Sequence, residues 1–174
     1  TYTAMQEGFE TTYDDLFARV RKIDPDFRVN LSDVSNYIEE IVELNSGYFD
    51  VDGQVGKMLA HMRQEIPQRL EREGGHTFTQ LINMRARLKG KVLIMGEGGG
   101  KQTNIPEEVI KILDEKIKNL GDSALTSAIR IGKQQGKPLT KAQSQEINQI
   151  REQLNTANAN YYNQHKPFDS ALVQ

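Results

Sequence analysis

Ile147, Ile150, Leu154, Ala157 and Tyr161 recur at alternating steps of three and four residues, a spacing that constrains the fold more than any other feature of the chain. It lays the five side chains in one seam along a helix, while Gln, Asn and charged residues fill nearly every other position of 138–164. Pro138 stands just ahead of the helix, and the Thr140 hydroxyl can accept from the free N–H groups of its first turn. Pro167 has no N–H to donate and is expected to stop the helix near residue 165. The long helix 140–164 then has about 25 residues and runs roughly 37 Å. So narrow a seam cannot be the centre of a globule, and it requires one or two long partner helices.

The rest of the chain offers such partners. Phe9, Tyr13, Leu16, Val20 and Ile23 repeat at the same steps and predict a helix over 8–23, closed by Asp24-Pro25. Ser32 or Asp33 caps a second helix with Val34, Ile38, Ile41 and Leu44 on its apolar face, ending at Asn45-Ser46-Gly47. Val55, Leu59, Met62 and Ile66 mark a third, which ends or kinks at Pro67. After Gly74-Gly75, Thr77 opens a fourth, with Phe78, Leu81, Ile82 and Leu88 inward and Arg85 and Arg87 outward. Lys91-Val92-Leu93-Ile94-Met95 reads as a short strand, with Phe27-Arg28-Val29 as its only candidate partner. Pro106 with Glu107 and Glu108 is a strong helix start, followed by the seam Ile110, Leu113, Ile117 and Leu120. Gly121 breaks that helix. A sixth, capped by Asp122 or Ser123, carries Ala124, Leu125, Ala128, Ile129 and Ile131 as far as Gly132 and Gly136. The expectation is a mainly α protein: an elongated helical bundle on a long antiparallel coiled-coil hairpin, with at most a small β element. Its regions are an N-terminal helical part, 1–95, a Gly-rich linker, 96–104, and C-terminal helices, 105–174.

Composition removes several chemistries. The chain has no Cys, which excludes disulfides, thiolate metal sites and cysteine nucleophiles. No apolar run approaches the length of a membrane span, and the first residues lack a basic stretch followed by an apolar one. The expectation is a location in the cytoplasm, or outside the cell without a cleaved signal peptide. Charge is unevenly spread. Residues 1–50 are acid-rich, whereas 51–105 carry Arg63, Arg69, Arg72, Arg85, Arg87, Lys89, Lys91 and Lys101. Opposed blocks of this kind set helix register or contacts between copies. The basic patch Arg85, Arg87, Lys89, Lys91 and Lys101 could instead track a phosphate backbone, although no aromatic residues interleave it to stack bases.

Two local motifs fail on spacing, and a third has a structural use. The run 92–103 has a glycine loop, the pair Gly100-Lys101 and Thr103, but Met95 stands where a phosphate loop needs its first Gly, and Gln102 separates Lys101 from Thr103. Asp50-Val51-Asp52-Gly53 resembles the middle of a calcium loop, yet Tyr48 and Leu59 fall at ligand positions they cannot fill. Asn30-Leu31-Ser32 fits a glycosylation sequon but serves better as a helix cap. His61, His76 and His165 lie far apart, with no paired His or carboxylate motif, so neither a metal site nor a cofactor is expected.

Ile105-Pro106-Glu107-Glu108-Val109-Ile110, the run Ala142-Gln143-Ser144-Gln145-Glu146, the run 154–161 and Asp33-Val34-Ser35-Asn36-Tyr37-Ile38 together resemble the hydrophilic translocators of bacterial type III secretion. These proteins cap the secretion needle or extend it as a filament. The resemblance covers about a third of the chain and implies a long helical hairpin flanked by smaller subdomains. It further implies export in an unfolded state and assembly through the C-terminal helix. Pro167 departs from the family pattern, in which that helix continues towards the chain end.

Two functions follow as expectations. The first is a non-enzymatic helical assembly or interaction protein, a needle-tip or filament component, with Ile147, Ile150, Leu154, Ala157 and Tyr161 as its interaction seam and other proteins or its own copies as partners. The second is a nucleic-acid-associated or virion-structural helical protein using the basic block 85–101.

Overall fold

The computed structural model describes residues 1–44, 53–95 and 104–171, and among these the chain is mainly α, with seven helices. They are α1 (Tyr2–Ile23), α2 (Ser32–Leu44), α3 (Gln54–Glu73), α4 (Phe78–Met95), α5 (Asn104–Lys118), α6 (Leu120–Gln134) and α7 (Lys141–Ala171). None of them is long and apolar enough to cross a membrane. They fall into two compact units, one of Thr1–Phe27 with Lys116–Phe168, the other built on Arg28–Glu115. The sequence suggested a division at 96–104; these units divide after Phe27 and inside α5, after Glu115. The glycine-rich run 96–103, and Lys101 within it, lie outside the described residues.

The first unit brings α1 together with α6 and most of α7. Thr1 Oγ1 accepts from the Ala4 N–H at 3.2 Å and starts α1. Phe9, Tyr13, Leu16, Phe17 and Val20 form its buried stripe. α7 begins with a reciprocal cap, in which the Gln143 N–H donates to Thr140 Oγ1 and the Thr140 N–H to Gln143 Oε1. All five seam residues of α7 are buried. The pairs run in opposite senses: Phe9 against Tyr161, Tyr13 with Asn158, Arg19 with Gln153 and Glu146. α1 and α7 are therefore antiparallel. Gly121 lies within α6 rather than breaking a helix, because a Cβ there would sit 2.8 Å from Arg151 Cγ and 3.1 Å from its carbonyl oxygen. Glycine lets α6 approach α7 this closely. α6 ends after Gln134, and Gly136, at φ 67, turns the chain into α7.

Pro167 does not stop α7, which runs on to Ala171. The seam continues one step beyond Tyr161 to the buried His165. His165 Nδ1 donates to the Tyr161 carbonyl at 2.8 Å, and Nε2 lies 2.9 Å from Gln6 Oε1. With that turn anchored, the single backbone bond lost to proline is tolerated.

In the second unit, the Ser32 N–H donates to Asn30 Oδ1 at 2.8 Å, so the sequon residues lead into α2. α3 passes through Pro67 instead of ending there. Pro67 and Arg63 are both exposed, so water can reach the carbonyl that proline leaves without a donor. Arg69, two residues on, bonds Glu65 and Glu73, each at 2.9 Å, and ties the turns on either side of the break. Gly74, at φ 82, closes the helix.

The Lys91–Met95 run is not a strand: it is the last turn of α4. Its Val-Leu-Ile sequence has strand propensity, but it continues a helix whose stripe Leu81, Leu88 and Val92 is buried, and tertiary packing overrides propensity. The β element among the described residues is a single antiparallel bridge between Val29 and His76, with N···O distances of 2.8 and 2.9 Å. Thr77 and Gln80 form the reciprocal cap of α4.

Candidate docking groove

The hydrophobic face of α3, Val55, Leu59, Met62 and Ile66, points into the second unit, and the neighbouring face carries Gln54, Lys57, Met58, His61 and Glu65. α4 runs back past it, with Lys91 Nζ 3.2 Å from Gln54 Oε1. Between the two helices lies a groove of about 640 Å³, lined by those residues with Met62, Met84, Arg87, Gly90 and Lys91. Its floor is methionine: Met62 and Met84 are buried and Met58 half-buried. Its rim is cationic. Lys57 stands on the α3 side, Arg87 and Lys91 on the α4 side.

Among the described residues one acid lines the groove, and it is already engaged. Glu65 accepts from Arg69 at 2.9 Å and sits 2.8 Å from His61 Nε2. The bond from Arg69 holds its carboxyl below the usual range. His61, Glu65, Arg69 and Glu73 form a line of alternating groups at steps of four along α3. Beyond it, His76 is buried with neither ring nitrogen hydrogen-bonded among the described residues. Burial, and then the Arg69 charge, push its pKa down to about 4, so it is neutral near pH 7.

The basic patch does not form one face. Arg85 is buried rather than outward, its Nε 3.1 Å from Asp114 Oδ1. The reason is register, since position 85 is four residues after Leu81 and three before Leu88, on the inward stripe itself. Lys89 turns towards Glu107, at 3.9 Å, leaving Arg87 and Lys91 on the groove. The seam is likewise consumed inside the first unit: Ile147, Ile150, Leu154 and Tyr161 have no exposed surface and Ala157 has 6%. It packs against α1 and is not an outward face for a partner.

Sequence reasoning missed two features. The groove had a signal, with Met58 and Met62 at i, i+4 on α3 and Arg87 and Lys91 at i, i+4 on α4, but reading it required knowing that α3 and α4 pair. Asn158 had less. It is buried beside the seam, accepting from the Tyr13 hydroxyl through Oδ1 and donating through Nδ2 to the Ile117 carbonyl at 2.7 Å. Burial raises the Tyr13 pKa, so its hydroxyl stays protonated and keeps donating.

The fold and groove define a mainly α chain offering an open apolar channel between two helices, edged by positive charge. Comparison with protein-family models, curated proteins and solved structures found no match for it.

Proposed function

We propose that this chain is a non-enzymatic helical interaction protein that seats a partner in the α3/α4 groove. One observation carries the reading: a methionine floor of three residues beside cations that no acid among the described residues neutralises. Methionine side chains are flexible and polarisable, and they suit surfaces that adapt to an inserted apolar side chain. Among the described residues the groove lining has no Ser, Thr or Cys to act as a nucleophile beside His61 and Glu65. Binding through surfaces is the chemistry these residues serve best.

The setting we propose is type III secretion, on the resemblance of the C-terminal helices to the hydrophilic translocators. The course of α7 through Pro167 to Ala171 supports it, because it removes the departure from the family pattern that Pro167 implied. With the seam packed inside the first unit, assembly falls to the groove and not to Ile147–Tyr161. Expression in cells with and without an active type III export ATPase tests the setting: the chain should reach the medium only from the former. Equal release from both would remove it, without touching the docking role.

A further inference from the structure

We infer that the occupant of the groove is an acidic amphipathic helix of a different protein; this rests on the docking role above and names the chemistry of the partner. The shape argues for a helix. From Gln54 to Glu65, α3 rises roughly 16 Å, about three turns, and a third helix lying along an antiparallel pair presents apolar anchors at i, i+4 and i+7 over that length. The described elements have no sheet edge on which an extended peptide could add a strand.

Charge sets the flanks. Lys57 and Arg87 have no ion-pair partner among the described residues, Lys91 meets only the neutral Gln54, and the Glu65 charge is engaged by Arg69. Cations edge the methionine floor from both helices, so the matching ligand carries Asp or Glu on both sides of its apolar stripe. A separate protein meets that description better than a second copy of this chain. Its most exposed large apolar side chains among the described residues are Tyr2, Leu44 and Ile129, one each on α1, α2 and α6. Those three share no helix, whereas a separate protein can supply a continuous stripe.

The test is a titration of the full chain, labelled at the methionine methyl groups, with two synthetic helical peptides. One carries Leu at i, i+4, i+7 and i+11 flanked by Glu; the other replaces every Glu with Lys. The acidic peptide should shift the Met58, Met62 and Met84 signals and leave Met5 in place. Its affinity should fall at least about tenfold with Lys57→Glu plus Arg87→Glu, and fall with added salt. Gly90→Leu is a second block. A Cβ at Gly90 meets nothing within 4 Å, so the helix tolerates the side chain while the groove is obstructed. Tighter binding of the Lys peptide, or indifference to the charge reversal, would overturn the acidic partner and leave the docking role standing. Methyl shifts that grow with protein concentration alone would identify a second copy and likewise overturn it. Silence of the three groove methionines towards both peptides and towards concentration would end the docking role too.

Discussion

Replacing His76 with leucine should make the protein more stable and less sensitive to mild acid. In the folded chain, burial keeps His76 neutral down to about pH 4. In the unfolded chain the same imidazole takes up a proton near pH 6.5. Between those values the unfolded state binds the extra proton, so stability is full above pH 6.5 and declines as the pH falls towards 4. A difference of about 2.5 pKa units corresponds to roughly 3 kcal/mol lost across that window. Leucine has no proton to take up, and it removes two buried nitrogens without partners among the described residues, each a desolvation cost of about 1–3 kcal/mol. The backbone bridge to Val29 does not depend on the side chain and should survive. Urea titrations of both proteins from pH 8 to pH 4.5 measure the effect. The two stability curves should separate steadily as pH falls, with His76→Leu above the parent throughout. Parallel curves, or a less stable variant at pH 7, would refute the account of a buried, neutral, unpartnered imidazole.

Two substitutions in the first unit test its packing. Asn158→Leu strands both the Tyr13 hydroxyl and the Ile117 carbonyl, and should lower stability by about 2–4 kcal/mol in chemical denaturation, while Asn155→Ala on the exposed face should change it by less than about 0.5 kcal/mol. Gly121→Ala should cost about 1–2 kcal/mol despite the higher helix propensity of alanine, because its Cβ enters the space of Arg151; Gly8→Ala, which meets nothing within 4 Å, should gain up to about 1 kcal/mol, and thermal melts of the pair separate crowding from propensity.

The helices were legible wherever a stripe of large apolar residues recurred at three and four. The α7 stripe is buried as its spacing requires, as is the α1 stripe from Phe9 to Val20, and Thr140 caps α7 as its position before the stripe suggested. What was not legible depends on neighbours distant in sequence. The Val-Leu-Ile run at the end of α4 has strand propensity and becomes helical only because the helix it extends is already packed. Pro67 and Pro167 are local stop signals that Arg69 on one helix and His165 on the other override. Arg85 stands on an inward stripe where charge is normally excluded, and Asp114, 29 residues away in sequence, makes it tolerable. The groove belongs to no single segment, since α3 supplies one wall and α4 the other.

Tyr13 and Asn158 are 145 positions apart, and that distance has a consequence for how the chain is made. A ribosome adding roughly 5–20 residues each second delivers α1 many seconds before α7 emerges to cover it. Through that interval Phe9, Tyr13 and Phe17 have no α7 to shelter them, while α2, α3 and α4 can already close on one another. A nascent chain halted before residue 147 should therefore hold a folded middle and an adhesive amino-terminal helix, the form in which a holding chaperone would find it.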